Sequence, residues 1–208
     1  GTTVKIGVPG KVYSLKTNDE RLVTLPINFK PGVYQLTATF EGNDRYESSF
    51  INATVTVNKA SVTLSADNIV MDYKDGTAYL VRLTDANNNP IANAAVAVTI
   101  GKSTYNRITG SDGVANLPIN LRTGNYTISA KFNGNAMYNG DNITNTITVL
   151  KVTPVLTSSN LVMYDKDGSA YEVSLVDNNG RPIVNEVVKF TICSVTYNIK
   201  TNSDGIAK

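Results

Sequence analysis

Short runs of alternating apolar and polar residues follow one another along the whole chain. In one run, Tyr126, Ile128 and Ala130 alternate with Thr127 and Ser129. Such alternation places one set of side chains on a single face of a strand, as a half-buried sheet requires. Glycine, asparagine, aspartate or proline interrupts the runs about every 8 to 12 residues, a spacing typical of strands joined by tight turns. The pattern therefore predicts an all-β protein with almost no helix.

Between residues 60 and 151 the pattern predicts a series of short strands that pair into a two-layer antiparallel β-sandwich. Asp-Gly pairs at 75–76 and 112–113 and an Asn-Gly pair at 139–140 supply the positive φ angles that tight turns need. Pro90 cannot continue a central strand, because it has no N–H to donate. The seven predicted strands are Val62–Met71, Thr77–Asp85, Ala94–Ile100, Ser103–Thr109, Gly113–Ile119, Asn125–Phe132 and Asn142–Leu150.

The sequence also repeats itself without insertions. "TLPINFKPGVYQLTATFEGND" around Pro26 returns as "NLPINLRTGNYTISAKFNGNA" around Pro118, which is a spacing of 92 residues. A repeat of this length can hold its own hydrophobic core, unlike the shorter units of solenoid proteins. The same spacing relates Tyr13 to Tyr105 and Tyr197, Tyr46 to Tyr138, Met71 to Met163, Tyr79 to Tyr171, Pro90 to Pro182, and Asp112 to Asp204.

The repeat divides the chain into three predicted domains, called here the N-terminal, central and C-terminal copies. Residues 1–59 correspond to the C-terminal part of a repeat, residues 60–151 to a complete repeat, and residues 152–208 to the N-terminal part of the next. Three explanations are open for the partial copies: a fragment of a longer chain, completion by neighbouring chains through strand exchange, or a permuted repeat with its boundary near Asn93. The first is favoured.

The connections between copies predict an extended rod. The stretches "VTVNKASVTLS" and "ITVLKVTPVLTSS" contain no Gly/Ser spacer. The last strand of one domain should therefore lead almost directly into the first strand of the next. With strands that rise about 3.3 Å per residue, successive domains should advance by roughly 35 to 45 Å.

The composition limits what such domains can do. The 208 residues include 19 lysines and arginines, 17 aspartates and glutamates, one cysteine, and no histidine or tryptophan. Without histidine the chain cannot build a Ser-His-Asp triad or the usual zinc and non-haem iron sites. The basic residues are scattered, and no apolar stretch approaches the roughly 18 residues of a membrane span. We expect no catalytic residues, cofactor or metal, no nucleic-acid partner, and no transmembrane segment within these residues.

Several motifs resemble those of a known group of proteins. "VRLTDANNNPIANAAVAVTI" and its copy "VSLVDNNGRPIVNEVVKFTI" are followed by "TGSDGVA" and "TNSDGIA". These motifs resemble the immunoglobulin-like repeats of bacterial and archaeal cell-surface adhesins. The second half of the repeat, in "LPINLRTGNYTISAKFNGNAMYNGDNITNTITV" and "LPINFKPGVYQLTATFEGNDRYESSFINATVTV", is similar to the Gly-x-Tyr and Gly-Asn-x-x-Tyr pattern of such repeats. The asparagine-rich style resembles adhesin-like proteins of methanogenic archaea.

The resemblance implies tandem immunoglobulin-like sandwiches in an extracellular, cell-surface protein. It implies a non-catalytic stalk or fibre segment, whose partners are neighbouring repeats and, through strand exchange, neighbouring chains. One alternative is an adhesive module that binds a cell-surface glycan or protein through the loops near Asn87–Asn89 and Asn133–Gly140. A second alternative is a set of spacer repeats in a cell-wall-modifying enzyme. Fold analogy does not choose among these functions.

Two acidic pairs are candidate cation sites. Asp72 and Asp75 are three residues apart, but Asp165 and Asp167 in the other copy are two apart. On extended backbone these spacings point to different faces, which argues against a shared calcium site. The preference of Asp-Gly for turns accounts for both pairs, so we expect solvated turn residues.

Tyrosine and proline residues that recur with the repeat are expected to be structural. Tyr34 and Tyr126 each follow a glycine-containing turn and are predicted to form tyrosine corners, with the hydroxyl bonded back to the backbone. Three Asn-x-Thr sequons, at Asn52, Asn125 and Asn142, are candidate N-glycosylation sites in an exported protein. Cys193 has no partner in the chain and is expected to be a buried or half-buried thiol at a strand end. The remaining structural candidates are Tyr46, Tyr138, Pro26 and Pro118.

Overall fold

The computed structural model describes all 208 residues, and every regular element in it is a β-strand. This confirms the all-β class that the alternating pattern predicts. The structure has no helix with the length and apolar character needed to cross a lipid bilayer. By contacts the chain falls into two compact units, one formed by residues 1–67, 78–117 and 127–145 and the other by residues 68–77, 118–126 and 146–208.

The N-terminal copy forms one four-stranded sheet. In spatial order its strands are β2 (Lys11–Lys16), β1 (Thr3–Val8), β3 (Gly32–Phe40) and β4 (Ser49–Val57). All neighbours are antiparallel, and β3 and β4 pair along their whole length, from Gly32 opposite Val57 to Phe40 opposite Ser49. Residues 1–59 contain no other strand.

The central copy forms two sheets, consistent with a β-sandwich. Its strands are β5 (Val62–Ser65), β6 (Ile69–Asp72), β7 (Ala78–Asp85), β8 (Ala95–Ile100), β9 (Ser103–Ile108), β10 (Val114–Pro118), β11 (Gly124–Phe132) and β12 (Asp141–Leu150). One sheet has the order β10-β7-β5, and the other has the order β6-β12-β11-β8-β9. Six of the seven predicted strands are confirmed to within one residue at each end.

The predicted strand Val62–Met71 is wrong, because two strands in different sheets replace it. β5 pairs antiparallel with β7, whereas β6 pairs parallel with β12. Between them, the Asn145 side-chain amide donates to the Ala66 carbonyl at 3.0 Å, and the Asn68 side-chain oxygen accepts the Thr146 N–H at 2.9 Å. These side chains bond to backbone groups at the crossing between the sheets. The central copy is therefore not wholly antiparallel.

The C-terminal copy has a small core and two short sheets. β13 (Val155–Ser158), β14 (Val173–Val176) and β17 (Ile206–Ala207) form one sheet in that order, and β15 (Val187–Ile192) and β16 (Val195–Lys200) form the other. Its buried residues are Val173, Leu175, Val188 and Ala207, with Ile183, Phe190 and Ile199 packed beside them.

One hairpin of the repeat has the same strand bounds in all three copies, as β1 with β2, β8 with β9 and β15 with β16. β1, β8 and β15 begin at Thr3, Ala95 and Val187, each 92 residues after the previous one. Burial is deepest in the central copy, where side chains on alternate positions of β7 and β8 are almost wholly inaccessible. Each such aliphatic side chain contributes about 1.5–3 kcal/mol by leaving water. The largest fully buried side chains are Tyr79, Leu83, Ile128, Ile147, Val81, Val96, Val98 and Thr109.

Candidate functional site

The connection between the N-terminal and central copies is bonded to a loop of the central copy. The Ala60 N–H donates to the Met137 carbonyl at 2.9 Å, and the Asn139 N–H donates to the Ala60 carbonyl at 2.9 Å. The Asn139 side-chain amide reaches the Lys59 carbonyl at 3.3 Å. Ala60 and Tyr138 thereby form a parallel β-bridge. The connecting residues are thus held by backbone hydrogen bonds, unlike a flexible Gly/Ser linker.

The docking loop, residues 133–140, is shaped by its own sequence. The Asn135 side-chain oxygen accepts the N–H groups of Met137 at 2.8 Å and Tyr138 at 2.9 Å. Gly134 has a φ of +79°, and a Cβ built there would lie 2.8 Å from the Tyr138 carbonyl oxygen. Glycine is therefore required at this position both by the backbone angle and by the close approach.

The N-terminal copy contains the same loop at residues 41–48. The Asn43 side-chain oxygen accepts the N–H groups of Arg45 at 2.9 Å and Tyr46 at 3.0 Å. Asn43 and Tyr46 form a bridge, as the loop closes on itself. The Tyr46 side chain is exposed, whereas Tyr138 in the docking loop is half-buried. The Gly-Asn-x-x-Tyr motif therefore encodes the loop shape locally in both copies.

A second set of bonds joins the C-terminal copy to the turn at residues 72–76. The Arg181 guanidinium donates through Nη1 to the Lys74 carbonyl at 2.8 Å and through Nε to Asp177 Oδ2 at 3.0 Å. Asp177 Oδ1 accepts the N–H groups of Asn179 and Arg181, both at 2.8 Å. The backbone bond from Arg181 is the strongest of several contacts that hold the pKa of Asp177 below its ordinary value.

The loop at Asn87–Asn89, predicted as a binding loop under the adhesive alternative, is organised by one carboxylate. Asp85 Oδ1 accepts the N–H groups of Asn87 at 2.9 Å and Asn89 at 2.8 Å, and Oδ2 accepts the Asn89 side-chain amide at 3.0 Å. The bonds from Asn89, followed by the one from Asn87, lower the pKa of Asp85. Asp85 and its equivalent Asp177 were not singled out from the sequence, although each stands five residues before a proline, in an Asp-x-x-x-x-Pro motif.

The acidic pairs lie in turns, where one acid of each pair caps the backbone. Asp75 accepts the N–H groups of Asp72 at 2.9 Å and Thr77 at 2.8 Å. Partial burial raises the pKa of Asp75, but the bonds from Thr77 and Asp72 and the nearby Arg181 outweigh burial and leave it lowered. In the C-terminal copy Asp167 accepts the N–H groups of Tyr164 and Ser169 at 2.7 and 2.8 Å.

No group of three or more histidine, cysteine, aspartate or glutamate residues comes together to hold a metal ion. The carboxylates that do gather backbone donors, such as Asp75 and Asp85, already have both oxygens bonded to N–H groups. Their geometry serves the turns in which they lie.

The tyrosines after the glycine-containing turns bond back to the chain. The Tyr34 hydroxyl donates to the Lys30 carbonyl at 2.7 Å, and the Tyr126 hydroxyl donates to the Arg122 carbonyl at 2.9 Å. Both bonds span four residues, and both rings are half-buried. The Tyr34 ring also lies against Phe29, with ring centroids 4.5 Å apart. Each hydroxyl ties the start of β3 or β11 to the preceding turn.

Two further polar groups inside the central copy were missed from the sequence. The Tyr79 hydroxyl donates to Asn145 Oδ1 at 2.7 Å, and burial raises the pKa of Tyr79 to about 12. The Thr109 hydroxyl accepts the Ala94 N–H at 2.9 Å and donates to the Ile91 carbonyl at 2.7 Å. A buried polar group needs such partners, and the recurrence of threonine at 201 was a sequence signal for this one.

The remaining candidate residues lie on the surface. The sequon asparagines Asn52, Asn125 and Asn142 are exposed and lie on β4, β11 and β12. Pro118 ends β10 and Pro26 precedes β3, and both are exposed.

Cys193 corrects an expectation, since it is exposed and not buried or half-buried. It lies with Ser194 in the two-residue turn between β15 and β16, at φ angles of +46° and +68°. A two-residue hairpin turn of this kind needs positive φ at both central residues, and it forms the tip of the hairpin.

No family model matches the chain. It is similar to the inverse autotransporter adhesin YeeJ of Escherichia coli (strain K12), with 29% identity over 177 residues. That alignment spans 78% of this chain but only 8% of the length of the adhesin.

Among solved structures, a bacterial ice-binding adhesin matches at 14% identity over 99% of this chain and 73% of its own, with a TM-score of 0.35. Domains 1–6 of the surface layer protein SbsC match at 14% identity over 84% of this chain and 25% of that one, with a TM-score of 0.34. Scores of this size do not establish a shared fold.

Proposed function

We propose that this chain is a non-catalytic structural segment of an exported, cell-surface adhesin-like protein, built from tandem immunoglobulin-like repeats. The similarity to YeeJ supports the adhesin part of the proposal. A match that spans most of this chain and a small fraction of a much longer adhesin is what a repeated module would give. The exposed sequons at Asn52, Asn125 and Asn142 are accessible to glycosylation in such a location.

The observation that favours a stalk is the hydrogen-bonded connection at Lys59–Ala60. A stalk must transmit its direction from one domain to the next, which a flexible linker cannot do. Here Ala60 forms a β-bridge with Tyr138, and Asn139 bonds to both connecting residues. The antiparallel ladders, such as β3 with β4, would share a pulling load among many hydrogen bonds.

Small-angle X-ray scattering of the 208-residue chain tests the proposal. We expect an elongated particle, with successive domains advancing by roughly 35 to 45 Å. Insertion of Gly-Gly-Ser between Asn58 and Lys59 should make the connection between the two copies flexible. The distribution of the longest interatomic distances, derived from the scattering, should then broaden. The same insertion between Asn87 and Asn88, in an exposed loop, is the matched control and should change nothing. A compact particle, or equal effects of both insertions, would contradict the stalk.

The adhesive alternative predicts a different result. If the loops at Asn87–Asn89 and Asn133–Gly140 bind a glycan or a protein, alanine substitutions at Asn87 and Asn88 should abolish binding on a glycan array or to host cells. If the chain is a stalk segment, we expect the unsubstituted chain to show no binding in either assay. A spacer within a cell-wall-modifying enzyme would be recognised by a catalytic domain elsewhere in the full-length protein.

A further inference from the structure

The docking loop carries an asparagine–glycine pair at the point where it holds the connection at Lys59–Ala60. The chain has three such pairs, at Asn133–Gly134, Asn139–Gly140 and Asn179–Gly180. Asparagine is a chemically labile residue, and a following glycine has no Cβ to hinder attack by its backbone nitrogen on the asparagine side chain. An asparagine that precedes glycine can therefore lose its side-chain amide without an enzyme.

Deamidation at Asn139 would proceed in two steps. In the first, the backbone nitrogen of Gly140 bonds to the side-chain carbonyl carbon of Asn139 and gives up its proton. The bond from that carbon to the side-chain nitrogen breaks, and ammonia leaves with the proton. In the second step, water opens the five-membered imide at either of its two carbonyl groups. The product at position 139 is aspartate or isoaspartate.

The reacting groups of Asn139 and Gly140 are only weakly held. The Asn139 side-chain amide donates to the Lys59 carbonyl at 3.3 Å, whereas the two backbone bonds of Ala60 measure 2.9 Å. An N–H···O bond usually measures about 2.7–3.2 Å, so the side-chain bond is the weakest of the three. Gly140 lies just before β12, and its N–H donates to no carbonyl of the loop. The side chain can therefore turn toward this nitrogen while the backbone bonds persist.

The pair at Asn179–Gly180 is held differently, in a hydrogen-bonded turn. The Asn179 N–H donates to Asp177 Oδ1 at 2.8 Å, and the Gly180 N–H donates to the Asp177 carbonyl at 3.0 Å. The attacking nitrogen must lose its proton, so Gly180 would first have to give up this bond. We therefore expect Asn179 to react more slowly, which makes it an internal reference for Asn139.

Either product would disturb the docking loop. A carboxylate has no N–H to donate, so aspartate would place an oxygen against the Lys59 carbonyl in place of a donor. Isoaspartate adds one carbon to the backbone just before Gly140, where the loop is closely packed. A Cβ built on Gly140 would lie 2.7 Å from the Phe132 carbonyl oxygen, and one built on Gly134 would lie 2.9 Å from the Gly140 nitrogen. The loop must therefore move to accept the extra carbon.

This movement would fall on the bonds to Ala60. On one side of Gly140, Asp141 is fixed to the sandwich, because its Oδ2 accepts the Leu64 N–H at 2.8 Å. On the other side, the added carbon follows directly after Asn139, whose N–H donates to the Ala60 carbonyl. The bonds that hold the connection are thus next to the site of the chemical change.

We propose that Asn139 deamidates spontaneously and thereby releases Lys59–Ala60 from the docking loop. The loop of the same shape in the N-terminal copy has Glu47 and Ser48 at the equivalent positions, so the labile pair is particular to the docking loop. The loss of ammonia is not reversed, and the connection therefore loosens as the protein ages. This modification depends on the bonds at Ala60 and not on the stalk function proposed above.

Ageing of the whole 208-residue chain at neutral pH and physiological temperature tests the modification. Peptide mass mapping locates the small mass gain of deamidation at each asparagine, and an isoaspartyl methyltransferase detects isoaspartate. We expect Asn139 to be modified several-fold faster than Asn179. An equal or slower rate at Asn139 would overturn the assignment of the site.

Hydrogen exchange of the Ala60 N–H, followed by NMR, tests the release. In the fresh chain this N–H donates to the Met137 carbonyl and should be protected. We expect its exchange to become several-fold faster in the modified fraction of the aged chain. Asn139→Gln is the matched control, because its amide can still donate but closes a ring far more slowly, so Ala60 should stay protected on ageing.

Two outcomes would overturn the release of the connection. One is unchanged exchange of Ala60 in a chain that is modified at Asn139, and the other is the same loss of protection in the aged Asn139→Gln chain. Both measurements compare aged with fresh chains, so either failure leaves the scattering test of the stalk, made on the fresh chain, unaffected.

Discussion

The central and C-terminal copies carry the same apolar positions but bury them to different degrees. Leu64 is 4% exposed and its equivalent Leu156 is 58% exposed, and Met71 at 3% compares with Met163 at 52%. The difference follows the number of strands, since residues 152–208 contain no equivalents of β11 and β12. The alternating pattern therefore specifies which face of a strand is apolar, and a second complete sheet decides whether that face is buried.

Local interactions do not show this difference. The Thr201 hydroxyl in the C-terminal copy accepts the Glu186 N–H at 3.0 Å and donates to the Ile183 carbonyl at 2.7 Å, as Thr109 does in the central copy. These bonds join neighbouring segments within the part of the repeat that both copies contain. The comparison thus separates interactions encoded within a short segment from those that need the whole domain.

The largest effect should come from deleting a side chain that only the central copy buries. Leu64→Ala leaves a cavity and should lower the free energy of unfolding by about 2–5 kcal/mol. Leu156→Ala removes an exposed side chain and should change it by no more than about 0.5 kcal/mol in dilute solution. Urea unfolding followed by NMR signals of each copy measures both values. Similar losses for the two variants would mean that Leu156 is covered in solution.

Removing the hydroxyl of Tyr79 should cost more stability than removing that of its equivalent, Tyr171. Tyr79→Phe removes the hydrogen bond from the Tyr79 hydroxyl to Asn145, which should lower the free energy of unfolding by about 0.5–1.5 kcal/mol. Tyr171→Phe removes an exposed bond to Ser158 Oγ and should cost much less. The same unfolding measurement compares the two, with Tyr105→Phe on exposed β9 as a control. Equal costs would show that the hydroxyl of Tyr79 contributes nothing beyond that of an exposed tyrosine.

The unsubstituted chain and the Tyr79→Phe variant should differ less in their free energy of unfolding at alkaline pH. Burial raises the pKa of Tyr79 from 10.0 to about 12, so the neutral phenol is favoured in the folded state. The stability that this group contributes is fully present below pH 10 and is lost as the pH rises from 10 toward 12. Unfolding midpoints measured across this range, with Tyr79→Phe as the reference, test the shift. A constant difference between the two chains would contradict it.

Most of the fold could be predicted from the sequence, because turns and alternation are local properties. The predicted strand Val62–Met71 places Leu64 and Met71 in one continuous strand and therefore misses the break between β5 and β6. Buried positions are even-numbered up to Leu64 and odd-numbered from Ile69, and that shift of one residue marks the change of sheet. The parallel pairing of β6 with β12 is set by tertiary contacts, which alternation does not report.

The junction contacts show the same limit. The shape of the docking loop follows from Asn135 and Gly134, which are recognisable turn residues. Its docking on Ala60 joins residues that are far apart in sequence, so no local pattern predicts it. The bond from Arg181 to Lys74 is also particular to one junction, since the central copy has Asn89 at the equivalent position. The loops named under the adhesive alternative, at Asn87–Asn89 and Asn133–Gly140, contain side-chain bonds to backbone groups of the protein itself.

The smallest effects should come from the turn acids, and they should be alike in the two copies. Asp75 and Asp167 each accept two backbone N–H groups within their own turns, and the pKa of each is below its ordinary value of 3.8. Both carboxylates therefore add stability above pH 3.8, which is lost as the pH falls through the lowered folded-state pKa. Asp75→Asn and Asp167→Asn should each slightly reduce the loss of unfolding free energy at low pH. Each change in the free energy of unfolding should be smaller than the one caused by Leu64→Ala. Asp19→Asn, at an exposed position, is the control. A clearly larger effect at Asp75 would mean that its proximity to Arg181, which Asp167 lacks, stabilises the junction beyond the turn itself.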